Sequence, residues 1–328
     1  MINRRSFLAG SAGLVIGAGI SSNAMSVSAA PVGRLLYGYP PGASGSKLAN
    51  ALLPLIVAQG GAQYSLNNLE GHSTRAASLA AAKASPDGSV LLQVISASLT
   101  LMPSLHSDLG FDPFQDFKPI ASMGDFPYVL VVGPMVPTTV TNLDTYLAWL
   151  NDNPEFRNIG ISVNGSIGQV AVQALINGTG VPLHSQFYQG TVDLLSDLQS
   201  QSLAAAFVVP NPSINPKAGT AIRPIGVTSA QRYSYWPSVA PLAEQGISAM
   251  DLTAWFGWFT QSATPESALT SLRAAIAKMQ ASIPYADALK TLMLNANSLA
   301  PDQITARMHE EFYRYRRLID QLRLAKID

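Results

Sequence analysis

The chain has 328 residues with 20 basic and 20 acidic side chains, so it carries no net positive charge that nucleic acid or an anionic membrane would attract. It contains no cysteine, which excludes disulfides, thiolate metal sites, a cysteine nucleophile and a lipid-modified cysteine. Apolar residues make up 48% of the chain, and a single core seldom spans this length, so we expect two lobes.

The first thirty residues have the pattern of an export signal. Arg4 and Arg5 precede a glycine-diluted apolar run from Ala9 to Ile20, as in twin-arginine signals. This run is shorter than the roughly 20 apolar residues that a membrane helix needs. Removing the two arginines leaves 18 basic against 20 acidic residues, a net charge of −2. The sequence therefore predicts a signal peptide at residues 1–30 and a monomeric periplasmic protein.

Strand-like and helix-like runs alternate along the rest of the chain, which predicts an α/β protein with largely parallel sheets. The predicted strands are Arg34–Gly38, Ser89–Ile95, Tyr128–Val132, Asn158–Ser162, Ala204–Val209 and Ile222–Val227. The predicted helices are Lys47–Gln59, Leu143–Asn151, Ile167–Ile176, one with Thr264 as N-cap and Pro265 at its first position, and one from about Asp302.

We place the crossings between the lobes at the strands near 128–132 and 222–227. Lobe 1 would then comprise residues 31–131 and 227–328, and lobe 2 residues 132–226. A lobe that the chain leaves once and re-enters once implies two connecting strands and a hinge.

The last two helices show apolar stripes. Leu269, Leu272, Ile276 and Met279 mark the first, and Ile304, Met308, Phe312, Tyr315, Ile319 and Leu322 mark the second. Charges of both signs alternate around the second stripe, which predicts a solvated helix face. These charges are Glu310, Glu311, Arg314, Arg316, Arg317, Asp320, Arg323, Lys326 and Asp328. The aromatic run from Trp255 to Phe259 alternates like a strand and indicates core packing.

Two loops run from a strand into the start of a helix through small residues, at 40–46 and 162–168. The first N–H groups of a helix lack internal partners, and the helix dipole favours an anion there. Each loop alone is better explained by an ordinary tight turn between a strand and a helix. Together they predict a carboxylate held between the lobes without an arginine.

Catalytic and cofactor motifs are missing from the sequence. There is no P-loop, no G-x-G-x-x-G after the first strand and no G-x-S-x-G. His72, His106, His184 and His309 are scattered singly, without the spacing that would bring two onto one helical face. We therefore predict no metal, no cofactor and no enzymatic activity.

Eight short motifs recur in the order and spacing of one family. They are Tyr39–Gly42 with Leu48 and Ala49, Ser85–Gly88 before Leu91 and Leu92, Phe111–Phe117, Asn164–Gly165, Tyr188–Gly190, Val227–Arg232, Trp255–Gly257 and Ala263–Pro265. On these motifs nearly the whole mature chain resembles the periplasmic solute-binding proteins of tripartite tricarboxylate transporters, often called Bug receptors.

The resemblance implies a two-lobed periplasmic-binding-protein-like fold of type II, with two mixed sheets flanked by helices and a two-strand hinge. It implies a small carboxylate as ligand and membrane transporter subunits as partners. The residues that match the family's ligand-binding segments are Tyr39, Pro41, Gly42, Ala43, Ser44 and Ser46, then Ser96 and Ala97, then Asn164, Gly165 and Ser166, and finally Tyr188 and Gly190.

The sequence departs from the family pattern at four places. Ser46 stands where an aspartate is usual, which removes a partner for a ligand's ammonium group and reduces repulsion of a second carboxylate. Gly42-Ala43-Ser44 replaces three glycines, His72-Ser73-Thr74 replaces a glycine-rich turn, and Phe207-Val208 replaces an Asp-Asn pair. The departures indicate a ligand other than an amino acid, either a dicarboxylate or an aromatic carboxylate, in a pocket with one apolar side.

Two other functions remain open from the sequence. An exported serine hydrolase could use Ser44 or Ser166 as nucleophile if His72, His106 or His184 and a carboxylate converged on it. A sensor could present its ligand-bound form to a membrane signalling protein through the same pocket.

Overall fold

The computed structural model describes residues 33–214 and 221–327. The predicted export signal at residues 1–30 lies outside the described residues. Within the described ranges, no helix combines the length and apolar character needed to cross a membrane.

Short strands form two separate sheets. In chain order the strands are β1 (Gly33–Tyr37), β2 (Tyr64–Asn68), β3 (Val90–Ile95), β4 (Phe117–Pro127), β5 (Val129–Val132), β6 (Asn158–Ile161), β7 (His184–Phe187), β8 (Ala205–Val208), β9 (Arg223–Val227) and β10 (Thr253–Gln261).

Helices cover both sheets and follow most of the strands. They are α1 (Ser44–Ala58), α2 (Arg75–Ala82), α3 (Ala97–Thr100), α4 (Met102–Leu105), α5 (Leu143–Asp152), α6 (Ile167–Thr179), α7 (Thr191–Gln199), α8 (Glu266–Gln280), α9 (Ile283–Thr291) and α10 (Pro301–Leu322), with a 3₁₀ turn at Pro154–Phe156.

The two sheets share one topology. The first has the order β2-β1-β3-β10-β4 and the second β7-β6-β8-β5-β9. In each sheet the first three strands are parallel and the last two are antiparallel to their neighbours. Because parallel strands carry their following helices at one edge, the starts of α1 and α6 lie at equivalent positions of the two sheets.

The chain passes between the sheets at Tyr128 and Thr228. A single residue, Tyr128, separates β4 in the first sheet from β5 in the second. The N–H of Tyr128 donates to Thr228 Oγ1 (2.9 Å), and the N–H of Thr228 donates to the carbonyl of Tyr128 (2.9 Å). The Thr228 hydroxyl donates in turn to the carbonyl of Leu252 (2.5 Å). The two crossings are therefore bonded to each other in the middle of the molecule.

The strand pairing places the first crossing between the sheets a few residues earlier in the chain than the boundary predicted from the sequence. β5 pairs with β8 and β9, so the chain leaves the first sheet at Tyr128, whereas the predicted boundary after residue 131 leaves most of β5 with lobe 1. The division of the chain into lobes stays a prediction.

The predicted apolar stripes are buried. The four residues of the α8 stripe are at most 2% exposed, and the α10 stripe is buried except for Phe312, which is half-buried. The N-cap of α8 is Pro265, not Thr264 as predicted. The Thr264 side chain instead lies next to the Thr260 hydroxyl (Oγ1 to Oγ1 3.2 Å), so it packs inward and cannot cap the helix. Trp255, Phe256, Trp258 and Phe259 are buried in β10, as predicted.

One residue of the predicted solvated face of α10 is buried. Glu311 is 4% exposed, and its carboxylate accepts hydrogen bonds from Trp255 Nε1 (2.9 Å), Arg307 Nε (2.9 Å) and Thr100 Oγ1 (3.2 Å). Arg307 also pairs with Asp125 on β4 (Nη1 to Oδ2 2.9 Å). The prediction was wrong for Glu311 because the residue lies on the apolar stripe itself. We call Thr100, Asp125, Trp255, Arg307 and Glu311 the α10 network.

Candidate functional site

The first predicted ligand loop joins β1 to α1. Gly42 has φ +87°, which side chains other than glycine rarely adopt. The N-cap of α1 is Ala43, whose methyl group cannot satisfy the first N–H groups of the helix. Pro41 and Gly42 are exposed and Ser44 is half-buried. The start of α1 therefore presents backbone donors at the surface of the first sheet.

Ser46 and Tyr39 lie beneath this loop. The Ser46 hydroxyl donates to the carbonyl of Pro40 (3.2 Å) and accepts from Asn68 Nδ2 (2.7 Å), which also donates to the carbonyl of Tyr39 (2.6 Å). Tyr39 is 6% exposed and its ring packs on Tyr37 at 5.1 Å between centroids. Burial raises the pKa of Tyr39, so its hydroxyl stays protonated. These two residues support the loop from below.

The second loop joins β6 to α6. Gly165 has φ +83°, and its N–H donates to Gln169 Oε1 (2.8 Å). Ser166 is the N-cap of α6 and 2% exposed, yet its hydroxyl makes no hydrogen bond. Asn164 is half-buried, and its Oδ1 also has no partner among the described residues. The side chains of this loop, rather than the N–H of Gly165, are thus the free polar groups.

The third segment precedes α7. The hydroxyl of Tyr188 donates to Asp197 Oδ2 (2.7 Å) and accepts from Gln186 Nε2 (2.6 Å). Desolvation and then the bond to Asp197 raise the pKa of Tyr188. Gly190 is the N-cap of α7 with φ +125°, and its N–H donates to the carbonyl of Ser162 (2.9 Å). Tyr188 is therefore occupied within the second sheet, while Gly190 ties α7 to the second loop.

The fourth segment, Ser96 and Ala97, lies between β3 and α3. Both residues are buried, at 0% and 4% exposure. The N–H of Ser96 donates to the carbonyl of Trp255 (2.8 Å), and the carbonyl of Ser96 accepts from the Thr100 hydroxyl (3.1 Å). These bonds hold the start of α3 against β10.

The start of α1 lies directly opposite the start of α7. A Cβ added at Gly190 would approach Pro40 Cγ to 2.9 Å, and one at Gly42 would lie 3.7 Å from Val192 Cγ2. A cavity of about 310 Å³ adjoins this contact. Its described lining includes the cation Lys47 and no acidic residue. We call the space between these facing loops the cleft.

The second loop faces α4 of the first-sheet side instead. A Cβ added at Gly165 would lie 3.5 Å from Met102 Cε and 3.6 Å from His106 Nε2. His106 follows the last residue of α4, is 6% exposed, and neither of its ring nitrogens has a hydrogen-bond partner. Burial and then the positive charge of Arg75 lower the pKa of His106. The sequence offered His106 only as a candidate base, because residues 106 and 165 are far apart in the chain.

Ser166 and His106 do not form the pairing that a serine hydrolase uses. Neither Ser166 Oγ nor the ring of His106 makes a hydrogen bond, so the two are not bonded to each other and no carboxylate orients the imidazole. Within the described residues, no group of three or more metal-ligating side chains comes together. Phe207 and Val208 are fully buried in β8, with Phe207 beneath the start of α6.

Known proteins share this architecture. A family model described as tripartite tricarboxylate transporter family receptor matches residues 66–324. The protein BugT of Bordetella pertussis is 23% identical over 285 residues, which cover 86% of each chain. The solved periplasmic binding protein BugD superposes with a TM-score of 0.81 at 20% identity, over 90% of this chain and 99% of that one. Rpa4515 of R. palustris, solved with adipate, gives 0.83 at 22% identity, over 90% and 98%. The chain therefore has the fold of these binding proteins.

Proposed function

The chain belongs to the receptor family of the tripartite tricarboxylate transporters, as a Bug-type solute-binding protein, and from that premise we propose that it captures a small carboxylate in its cleft. The family is one of periplasmic binding proteins. We propose that a twin-arginine signal exports this member and that it delivers its ligand to membrane subunits of such a transporter.

The observation that carries the proposal is the meeting of helix starts across the cleft. The starts of α1 and α7 face each other through Pro40 and Gly190, and Gly190 is bonded to the second loop at Ser162. Helix starts favour anions, and the adjoining cavity is lined by Lys47 without a described acidic residue. An anionic ligand is favoured by both features.

The ligand class follows from Ser46 and from one relative of the same fold. Ser46 stands where the family commonly has an aspartate, and a serine hydroxyl carries no charge that could pair with an ammonium group. The hydroxyl is bound within the protein, to the carbonyl of Pro40 and the side chain of Asn68. Rpa4515 was solved with adipate, a dicarboxylate. We therefore propose a dicarboxylate or an aromatic carboxylate as the ligand, and no chemical step performed on it.

Ligand binding is proposed to stabilise the closed arrangement of the cleft. A ligand shifts a two-state equilibrium only by its difference in affinity for the two states. Because Pro40 and Gly190 belong to opposite sheets and meet in this structure, a carboxylate that contacts both helix starts binds the closed state more tightly. The pairing of Tyr128 with Thr228 supplies the joint on which the sheets would move.

The test uses Gly190→Ala and a matched control. The added methyl group collides with Pro40 across the cleft and should prevent closure. Gly180 ends α6 with φ +70° and ψ 0° and open space around it, so Gly180→Ala removes a glycine of positive φ without touching the cleft, at a smaller backbone strain than at Gly190 with φ +125° and ψ −175°. Both variants and the wild type are screened by thermal shift against mono-, di- and tricarboxylates, aromatic acids and amino acids.

We expect one class of acid to stabilise the wild type and Gly180→Ala but not Gly190→Ala. Ligand at 100 times its Kd stabilises a protein by about 2.7 kcal/mol, a shift that such a screen resolves. Stabilisation of Gly190→Ala equal to that of the wild type would contradict the proposed cleft. Labelling of Ser44 or Ser166 by a serine-hydrolase probe would show an enzyme instead.

A further inference from the structure

Unpartnered polar atoms gather where the second loop meets α4. Both ring nitrogens of His106, the hydroxyl of Ser166 and Oδ1 of Asn164 are buried without hydrogen bonds in the described part of the chain. His106 and Ser166 are 6% and 2% exposed. Buried polar groups in native proteins nearly always have partners, so a cluster of unpartnered ones indicates that a partner binds there.

The cluster draws on both sheets. His106 follows α4 on the first-sheet side, and its Nε2 lies 3.6 Å from the position of a Cβ on Gly165. Asn164 and Ser166 flank Gly165 on the second-sheet side. A molecule that bonded to all three would hold the two sheets together at this point, where the second loop meets α4.

The charged groups around His106 are engaged with backbone carbonyls. Arg75 donates to the carbonyls of His72 (3.0 Å) and Asp108 (2.9 Å), and Lys326 donates to the carbonyl of Ser104 (2.5 Å). Burial and the positive charge of Arg75 lower the pKa of His106 and keep its imidazole neutral. A neutral imidazole has one N–H donor and one nitrogen acceptor.

The balance of donors and acceptors describes the missing partner. The imidazole N–H and the Ser166 hydroxyl require acceptors, which a carboxylate supplies. The second imidazole nitrogen and Asn164 Oδ1 require donors, which an ionised dicarboxylate does not have. A hydroxyl group next to the carboxylate supplies a donor.

We propose that His106, with Ser166 and Asn164, directly binds the ligand and selects a hydroxy-carboxylate over the same acid without the hydroxyl. His106 is then the residue of the first-sheet side that determines specificity. The inference rests on the proposed function, because it concerns the same carboxylate ligand, but it adds a residue and a chemical requirement that the family resemblance did not supply.

The experiment compares malate with succinate, which differ by a single hydroxyl group. Affinities are measured by titration calorimetry for the wild type, His106→Phe and His106→Asn. Phenylalanine keeps a ring but removes both nitrogens, and asparagine keeps one donor and one acceptor. Thermal unfolding without ligand establishes that each variant is folded.

We expect the wild type to prefer malate over succinate by about 10-fold or more, the effect of one good hydrogen bond. In His106→Phe, malate affinity should fall by about 10- to 100-fold and the preference should disappear, while His106→Asn should keep part of it. A merely structural role would weaken both acids equally and leave their ratio unchanged.

An unchanged ratio in folded His106→Phe would overturn the inference and leave the proposed function intact, provided that Gly190→Ala still abolishes binding. Binding of neither acid by the wild type would also overturn it. The wider thermal-shift screen then tests the proposed function separately. Stabilisation by any carboxylate supports binding in the cleft, and stabilisation by none contradicts it.

Discussion

Two groups of polar side chains in this protein contain deeply buried members but differ in their hydrogen bonding. In the α10 network, the carboxylate of Glu311 has three donors and Arg307 pairs with two carboxylates. Where the second loop meets α4, His106 and Ser166 are buried as deeply as Glu311 and have no partners in the described chain. A satisfied group fixes the fold, whereas an unsatisfied group is available to a ligand. Burial alone therefore does not tell a structural site from a binding site.

Breaking the α10 network should have the largest effect on stability. In Arg307→Met, the buried Glu311 and the half-buried Asp125 lose their cation, so the free energy of unfolding should fall by about 3 kcal/mol. Urea unfolding followed by circular dichroism measures the loss. Arg317→Met, on the exposed side of the same helix, should change stability by less than about 0.5 kcal/mol. Equal losses of stability in the two variants would show that the α10 network does not stabilise the fold.

Removing an unpartnered hydroxyl should affect binding and not folding. We expect Ser166→Ala to lower the affinity for the carboxylate ligand by about 10-fold, or about 1.4 kcal/mol, without lowering the free energy of unfolding. Thr228→Val removes a buried hydroxyl that is bonded to Tyr128 and Leu252, and should cost about 1–3 kcal/mol of stability. If Ser166→Ala destabilises the ligand-free protein as much as Thr228→Val does, the hydroxyl of Ser166 has a structural partner.

The α10 network should also change the pH dependence of stability. Burial raises the pKa of Glu311, with Arg307 opposing it. A carboxyl group whose pKa is higher in the folded state binds a proton more readily when folded. Its contribution to stability is therefore full below the unfolded pKa and is lost as the pH rises through the folded pKa.

Glu311→Gln, which cannot titrate at this position, should reveal this dependence. The stability of the wild type minus that of Glu311→Gln should increase as the pH is lowered from 7 to 5. Urea unfolding at both pH values measures it, with the exposed Glu310→Gln as control. A difference that shrinks over the same range would mean that Arg307 outweighs burial and lowers the pKa.

The smallest expected effect concerns backbone strain beside the cleft. His72, Ser73 and Thr74 have φ values of 50°, 53° and 73°, where the family resemblance placed glycines. A left-handed conformation costs a residue other than glycine about 1–2 kcal/mol of steric strain. Glycine avoids this strain but costs about 0.5–1 kcal/mol, because it loses more conformational freedom on folding. His72→Gly should thus raise the melting temperature slightly. His184→Gly, in β7, should lower it; stabilisation by both would mean that the left-handed turn is not the cause.

The sequence predicted those elements whose side chains carry a clear periodicity. The apolar runs of β5 and β8, the helices α1 and α6 and the apolar stripes of α8 and α10 were all found, because their buried faces are dictated by packing. β2 and β7 were missed, since edge strands such as Tyr64–Asn68 and His184–Phe187 are largely polar and partly exposed. The same limit applied to α2, α7 and α9, which have only eight or nine residues each.

The loops of the candidate site could be read from the sequence, but their partners across the cleft could not. Glycine and serine between a strand and a helix are local signals, whereas the approach of His106 to Gly165 depends on how two sheets are set against each other. Glu311 did have a local signal. It lies three residues from Met308 and four from Tyr315, on the apolar face of α10, and a charge at such a position is expected to be buried with a partner.

The joint at Tyr128 would amplify a small rotation of one sheet against the other. One residue separates β4 from β5, and its backbone N–H and carbonyl are both bonded to Thr228, so any rotation of one sheet against the other would have its axis near these two residues. In such a rotation, the displacement of an atom grows with its distance from the rotation axis. A small angular change at Tyr128 would become a wider arc at the starts of α1 and α7, where the ligand is proposed to bind.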